Sequence, residues 1–443
     1  MTSRSLISRR GFLRLAGVGA VGVSCYPGDF GFTGLAAAQT SLPDLRSLWG
    51  APDKANLMLG YPINMNLPPD EFFQWRKQLF DTGVDQISFN NVGNPYLPSP
   101  IPFNTHALER EVIARFAKLY GIDPKEVWGF ISHSGTDSNM HGMYIGRTIL
   151  KHRTGRMPKA YFTKEAHYSI QILRDLLGLD WVEVAAHADG SMDVSSLADQ
   201  LSKHPNDPAL VVATVGTTFK GAIDPLDEIR SLLKGREAFL HVDAALFGGY
   251  LPHTQFADEL RFTIAPDPTG KTTSRYDALA VSCHKFFGFP APAGLFMTTR
   301  RLFEEFLQAF EKVHSPEYIH QVPGTITCSR DAVKPAEFYF FSSESAFARQ
   351  AQDARQILEN TDYLLRELNN HFPSLRPSRS NNRSNTVYFR KPGQAIVKRY
   401  SLATMELLVD GKREPYAHVV VMPHVTKKVL DQFLEDLHRD QKT

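Results

Sequence analysis

Short, almost continuous apolar runs alternate with stretches of helical periodicity between residues 160 and 300. The runs are rich in β-branched residues and lie at 160–163, 181–184, 210–215, 239–243, 278–282 and 294–298. Runs of this kind are typical of strands that are covered on both faces of a sheet. Helical patterns at 194–203 and 225–234 lie between them. This alternation predicts an α/β fold with a mostly parallel sheet.

The 443-residue chain is long enough for more than one domain. The alternating pattern belongs to a large domain predicted at 105–344. A long helix is expected to open a small C-terminal α+β domain at 345–443, with strands at 386–389 and 418–422. Residues 39–104 are rich in Pro and Asn, and they are predicted to form an N-terminal segment with one helix.

The first residues have the pattern of an export signal. The pair Arg9-Arg10 precedes a Gly-rich apolar stretch at 13–23, and three alanines at 36–38 offer a small-residue cleavage site. The apolar stretch is too short to span a membrane. The arginine pair resembles a twin-arginine signal, so residues 1–38 are predicted to direct export to the periplasm and then to be removed. Without a functional signal the protein would stay in the cytoplasm.

Charge and cysteine content argue against several classes of protein. The chain has 49 Lys and Arg against 47 Asp and Glu. A chain this balanced gives no electrostatic reason to expect a nucleic-acid partner. Three cysteines are too few for a disulfide framework. Neither CxxC nor HExxH occurs, and no metal site is predicted.

Two predicted strand ends carry residues that point to a specific chemistry. Lys285 follows the run at 278–282, and Asp243 ends the run before it. Ligands bind at strand ends in α/β sheets. A lysine can form a Schiff base with an aldehyde, and a carboxylate can pair with a pyridinium nitrogen. The sequence therefore predicts a pyridoxal 5'-phosphate site.

The same cofactor needs a phosphate site and a partner for its ring. Ser134, Gly135 and Thr136 precede a helical stretch at 137–151, whose first amides would face an anion. His167 is an aromatic candidate for the ring face.

Six stretches of the chain, in the same order, resemble the group II pyridoxal-phosphate amino acid decarboxylases, and above all the branch of bacterial histidine and plant serine decarboxylases. They lie at 128–147, 161–170, 216–229, 241–252, 282–294 and 325–330. The resemblance implies the fold type I architecture of the aspartate aminotransferase class. It also implies a homodimer with its active site at the subunit interface. The expected reaction converts an L-amino acid, with histidine the leading candidate, to its amine and CO2.

The resemblance assigns roles to five residues that would surround the ring. Lys285 would hold the cofactor aldehyde, and Asp243 would keep the ring nitrogen protonated. His167 would stack on one ring face and Ala245 would pack on the other. Tyr318 would deliver a proton to the substrate carbanion.

The resemblance also assigns the residues around the phosphate. Within one subunit these would be Ser134, Gly135, Thr136, Ser282 and His284. Ser329 would reach the phosphate from a second subunit. Thr217 would lie close to the ring or to Asp243.

Several positions depart from the family pattern or leave alternatives open. Cys283 and Cys328 replace glycines, which would strain the backbone if either position needs a positive φ. The two cysteines could form a redox feature or be unrelated small side chains. Arg330 could bind a substrate carboxylate or form a surface ion pair. The alternative functions are a lyase, a decarboxylation-dependent oxidase, or a protein that binds the cofactor without catalysis.

Overall fold

The computed structural model describes residues 52–264, 273–312, 314, 317–319 and 322–441. Its strands are β1 (Val127–Ser132), β2 (Lys159–Thr163), β3 (Trp181–Val184), β4 (Ala209–Thr214), β5 (Ala238–Asp243), β6 (Thr263–Ile264), β7 (Thr273–Ser274), β8 (Ala278–Ser282), β9 (Gly294–Thr299), β10 (Thr386–Arg390), β11 (Ala403–Val409) and β12 (Lys412–Val420). Its α-helices are Asp70–Asp81, His106–Leu119, Gly135–Thr154, Tyr168–Leu176, Val194–Lys203, Leu226–Leu232, Arg300–Glu311, Val333–Phe338, Glu344–His371, Gln394–Arg399 and Lys427–Asp440.

The main sheet has seven strands in the order β1-β9-β8-β5-β4-β2-β3. Strands β3, β2, β4, β5 and β8 pair in parallel, whereas β9 runs antiparallel to both β8 and β1. The predicted α/β fold with a mostly parallel sheet is therefore confirmed. All six predicted strands are present in this sheet.

Strand β1 is absent from the predicted set, and Gly129 explains why. This glycine interrupts the apolar run in the sequence. In the structure, a Cβ at Gly129 would lie 2.3 Å from the carbonyl oxygen of Phe296 on β9. Only glycine fits at this close approach of the two strands. Because glycine is not an apolar side chain, it breaks the hydrophobic pattern by which the strand could have been predicted.

Helices cover both faces of the main sheet. On β4, Leu210 and Val212 pack in one apolar cluster with residues of the helices Gly135–Thr154 and Arg300–Glu311. Val211 and Ala213 lie in a second cluster, which extends into the small-domain sheet. Successive side chains of a strand point to opposite faces. Burial on both faces therefore produces the continuous apolar runs in the sequence.

The C-terminal part of the chain forms a three-stranded antiparallel sheet, β10-β12-β11. The expected strand at 386–389 corresponds to β10, and the one at 418–422 overlaps the last three residues of β12. Strand β11 was not expected, because it is an edge strand with exposed side chains such as Met405 and Leu408. The helix Glu344–His371 agrees with the expected long helix.

The predicted signal at 1–38, with its arginine pair, lies outside the described residues and stays a prediction. The domain boundaries also stay predictions. None of the helices in the described ranges combines the length and apolarity needed to cross a lipid bilayer.

Candidate active site

A cavity of about 230 Å³ lies at one edge of the main sheet. The carboxyl ends of β4, β5 and β8 meet there because these strands are parallel neighbours. Asp243 is the last residue of β5, and Lys285 lies three residues beyond β8. Both line the cavity. The two residues that define the predicted chemistry are therefore brought together by the order of the strands.

Most of the predicted site residues line this one cavity. These are Ser134, Gly135, Thr136, His167, Asp243, Ala245, Ser282, His284 and Lys285. Thr217, Tyr318 and Ser329 do not line it. Sequence reasoning missed other residues of its wall, which are Pro62, Asn139, Ser169, Thr214, Gly216, Thr218, Leu246 and Pro292. Gly216 and Thr218 flank the predicted residue Thr217, and Leu246 follows Ala245. For these three, closeness in the chain to a predicted residue was a signal in the sequence.

The predicted phosphate site is the start of the helix Gly135–Thr154. Ser134 caps this helix by accepting a hydrogen bond from the Asp137 amide at 3.2 Å. The Asp137 carboxylate in turn accepts from the His133 amide at 2.9 Å, which ties the residue before the cap to the first turn of the helix. Asp137 therefore helps to fix the chain at the start of this helix.

Close packing explains the glycine at the start of this helix. A Cβ at Gly135 would lie 2.3 Å from the Ser282 hydroxyl and 3.4 Å from the Ala245 methyl group. The helix start, the end of β8 and the residues after β5 therefore converge at one point. Backbone amides and two hydroxyl groups suit a phosphate there.

Asp243 presents a buried carboxylate to the cavity. Its Oδ1 accepts a hydrogen bond from the Ala245 amide at 3.0 Å, and the residue is 3% exposed. A carboxylate in such a position stabilises a positive charge that faces it. This is the property needed to hold a ring nitrogen protonated.

Burial shifts the protonation of Lys285 toward the neutral amine. It lowers the pKa of Lys285, while the nearby Asp243 carboxylate partly opposes this by raising it. Only the neutral amine can attack an aldehyde, so the lowered pKa favours capture of the cofactor near neutral pH.

His167 is fixed as a neutral ring with a defined tautomer. Burial lowers the pKa of His167, and the Lys285 charge lowers it further against the opposing effect of Asp243. Its Nδ1 accepts from the Ser169 amide at 3.3 Å and lies 2.8 Å from the Ser169 hydroxyl. The proton therefore sits on Nε2. A neutral, oriented imidazole is suited to stack on an aromatic ring.

His284 is also held neutral beside the predicted phosphate site. Burial lowers the pKa of His284 despite the opposing effect of the Ala293 carbonyl. Its Nδ1 lies 3.2 Å from that carbonyl oxygen. Since a carbonyl only accepts, Nδ1 donates, which fixes the ring at the cavity wall.

The cavity wall also holds a polar atom that the chain itself does not satisfy. The Thr214 Oγ1 is buried and has no hydrogen-bond partner within the described chain. Thr214 ends β4 and lines the cavity. Buried hydroxyl groups normally have a partner, and a polar ligand would provide one here. Together with the acid, the lysine and the helix start, this donor set fits pyridoxal 5'-phosphate.

The three predicted residues outside the cavity have other surroundings. Thr217 is fully buried, and its hydroxyl accepts from the Ala222 amide at 2.9 Å within its own loop. Ser329 is exposed and accepts from the Asn90 side chain at 3.1 Å. Tyr318 is 79% exposed. It lines a second cavity of about 750 Å³, as does Cys328.

The structure also shows the surroundings of Arg330 and of the two cysteines. Arg330 neither faces the cavity nor forms a surface ion pair, because its guanidinium is buried against Glu109 at 2.5 Å.

Cys283 and Cys328 both have a negative φ, so replacing glycine causes no backbone strain there. Both thiols are free. Burial raises the pKa of the Cys283 thiol well above its ordinary value, which makes it a poor nucleophile.

Comparison with known proteins agrees with this geometry. The pyridoxal-dependent decarboxylase conserved domain matches residues 105–371. The chain belongs to the pyridoxal-dependent decarboxylase family. It is 30% identical to histidine decarboxylase from Solanum lycopersicum over 391 residues, which cover 86% of this chain and 84% of that protein. It is 29% identical to serine decarboxylase 1 from Oryza sativa subsp. japonica, with coverages of 87% and 72%.

Solved structures show the same fold at lower identity. L-methionine decarboxylase from Streptomyces sp. 590 aligns with a TM-score of 0.76 at 23% identity, over 91% of this chain and 97% of that one. The protein is therefore a carboxy-lyase that acts on an amino acid with pyridoxal 5'-phosphate as cofactor. When bound, the cofactor supplies the electron sink for the charge left at Cα as CO2 departs.

Proposed function

We propose that the substrate is L-histidine, which the enzyme converts to histamine and CO2. Support comes first from the relatives, which include histidine decarboxylases of Solanum lycopersicum, Mesorhizobium japonicum and Vibrio campbellii. Serine decarboxylases of rice have comparable identity, so serine is the main competing substrate.

The charge of the cavity wall favours a neutral substrate side chain, and the histidine decarboxylases among the relatives favour histidine within that group. Among the described residues that line it, the ionisable side chains are His167, Asp243, His284 and Lys285. All four have assigned roles toward the cofactor. An acidic substrate side chain would therefore lose its hydration without gaining a dedicated cation, and a strongly basic one would lack a second carboxylate. The imidazole of histidine, which is mostly neutral at pH 7, has no such cost.

The test uses purified protein loaded with the cofactor and each of the twenty L-amino acids. CO2 release is measured together with the products, identified by mass spectrometry. We expect the highest kcat/KM with histidine, a slower reaction with serine and none with aspartate. Higher kcat/KM with serine would overturn the proposal. Aldehyde and peroxide among the products would instead identify a decarboxylation-dependent oxidase. The variant Lys285→Ala is the control, because any CO2 that it still releases does not come from this active site.

We also propose that the enzyme is a homodimer that shares its active sites. Tyr168, Ile172 and Leu176 form an apolar stripe along one face of the helix Tyr168–Leu176, and they are 70%, 57% and 67% exposed. This helix begins directly after His167. An apolar surface this exposed is typical of a protein interface. A second subunit on it would also explain why Ser329 and Tyr318 lie outside their own cavity.

Mixed dimers test whether sites are shared. Lys285→Ala removes one part of the site, and Ser329→Asp places a negative charge where Ser329 would meet the phosphate. If the two residues act across subunits, equal mixing of the two inactive chains should restore about one quarter of the wild-type activity. No restored activity, despite confirmed exchange of subunits, would refute the shared site. Sedimentation of Ile172→Glu, which should be monomeric, tests the stripe separately.

Finally, we propose that the enzyme is exported with its cofactor already bound. The basis is the arginine pair and the following apolar stretch in the sequence. Cell fractionation and intact mass measurement test this. We expect a periplasmic protein that lacks its first 38 residues, and retention in the cytoplasm when Arg9 and Arg10 are both replaced by lysine. A full-length cytoplasmic protein without these changes would contradict the proposal.

A further inference from the structure

One buried histidine joins the small C-terminal sheet to two separate parts of the cavity wall. His418 lies on β12 and is 3% exposed. Its Nδ1 lies 2.7 Å from the carbonyl oxygen of Phe219, and its Nε2 lies 3.0 Å from that of Gly60. The ring also stacks on the Phe219 ring, with centroids 4.6 Å apart and an interplanar angle of 19°.

The first of these carbonyls belongs to a loop of the cavity wall. Residues 216–221 form this loop, and Gly216 and Thr218 line the cavity. The loop is tightly closed, because the Gly216 and Thr217 amides both donate to the Ala222 carbonyl at 2.9 Å. A shift of Phe219 would therefore move Thr218, its neighbour in the loop, with it.

The second carbonyl belongs to a segment on the other side of the cavity. In the segment 58–66, Pro62 lines the cavity and the Asn64 amide donates to the Lys285 carbonyl at 3.2 Å. The segment lies tightly against the start of β11, since a Cβ at Gly60 would come within 2.4 Å of the Ala403 amide nitrogen. His418 thus reaches the chain that touches Lys285 as well as the loop that carries Thr218.

We propose that His418 is a positioning residue for the cofactor, which sets the spacing between the loop 216–221 and the segment 58–66. A carbonyl oxygen can only accept, so each contact depends on an N–H group of the ring. Burial lowers the pKa of His418, so the ring is neutral and its single N–H group donates to one of the two carbonyl oxygens at a time. The inference depends on the cofactor assignment and not on the identity of the substrate.

A second histidine of the same domain supplies a matched control. His424 is 2% exposed, its Nε2 lies 3.1 Å from the Met58 carbonyl, and its Nδ1 accepts from the Met65 amide at 3.3 Å. It therefore holds the segment 58–66, as His418 does. Its hydrogen bonds do not include the loop 216–221. A comparison of the two histidines therefore separates two effects. Both variants loosen the segment 58–66, but only the His418 variants also change its spacing from the loop 216–221.

The experiment measures cofactor binding in the full chain without any substrate. Wild type, His418→Phe, His418→Gln and His424→Phe are stripped of cofactor and titrated with pyridoxal 5'-phosphate, followed by visible absorbance. We expect His418→Phe, which keeps an aromatic ring for the stack but has no N–H group for either carbonyl, to raise the dissociation constant about tenfold and to shift the absorption band. His418→Gln should lie between it and wild type, because its amide can still donate.

The control and the unfolding temperatures make the result decisive. His424→Phe should keep the dissociation constant within about twofold of wild type, even where its unfolding temperature falls as far as that of His418→Phe. Equal effects of the two phenylalanine variants on binding, or an unchanged dissociation constant and band in His418→Phe, would overturn the proposal. If His418→Phe fails to fold, the glutamine variant decides, and wild-type binding and spectrum in it would refute the role.

Discussion

Two groups of motif residues differ in where the fold places them. Those that follow strand ends, from Ser134 to Lys285, converge on one cavity within a single chain. In the segment 325–330, Ser329 is exposed, whereas its neighbour Arg330 is buried against Glu109. Sheet topology dictates the first arrangement, because parallel strands end at a common edge. The second segment is anchored to its own chain through Arg330 and exposed at Ser329, as the proposed shared site requires.

The largest effect should come from Lys285→Ala, which removes the amine at the centre of the cavity. We expect turnover to fall by at least about 10³-fold, because no other lysine lines the cavity in the described part of the chain. The visible absorbance of the bound cofactor should disappear, while the circular dichroism spectrum stays unchanged. Turnover near the wild-type rate would show that the cavity is not the active site.

Asp243→Asn should be next in size. Without the carboxylate, the positive charge on the ring nitrogen is no longer stabilised, and kcat should fall on the order of 10²–10³-fold. Steady-state kinetics of the loaded enzyme measure this.

Asp224→Asn is its control, since Asp224 is a buried acid outside the cavity wall that accepts from the Thr214 and Met192 amides at 2.7 Å. Asp224→Asn should lower the unfolding temperature but leave kcat close to the wild-type value. A large fall in kcat for Asp224→Asn, with kcat of Asp243→Asn close to wild type, would show that Asp243 does not have the electrostatic role.

Arg330→Met tests the anchored half of the comparison. It leaves Glu109, which is fully buried, without its cation, and the free energy of unfolding should fall by about 3–5 kcal/mol. Urea unfolding gives this value. The exposed pair Lys77–Asp81 is the control, and Lys77→Ala should cost about 0.5 kcal/mol or less. A similar small cost for Arg330→Met would mean that the segment 325–330 is not held by this pair.

The residues at the strand ends could be predicted from the sequence because the apolar runs mark the strands, and parallel strands end at the same edge of a sheet. Asp243 and Lys285 had to lie near each other once the strands were parallel neighbours. Thr214 and Asn139 were missed because a threonine or asparagine at such positions has no distinctive pattern of its own. Arg330 was misjudged because nothing in its local sequence indicates Glu109, which lies more than 200 residues away. Long-range partners of this kind depend on tertiary packing.

The smallest effect concerns the pH dependence of cofactor capture. The pKa of Lys285 lies below its ordinary value because of burial, and Asp243 raises it from that lower level. As the pH rises through this pKa, the amine loses its proton, so the rate of capture should increase and then level off. In Asp243→Asn the opposing charge is gone, and the midpoint should move to lower pH by about one unit. Stopped-flow absorbance between about pH 6 and pH 10 measures both midpoints. A midpoint that stays in place or moves upward would mean that Asp243 does not act on this amine, although the two residues share a cavity.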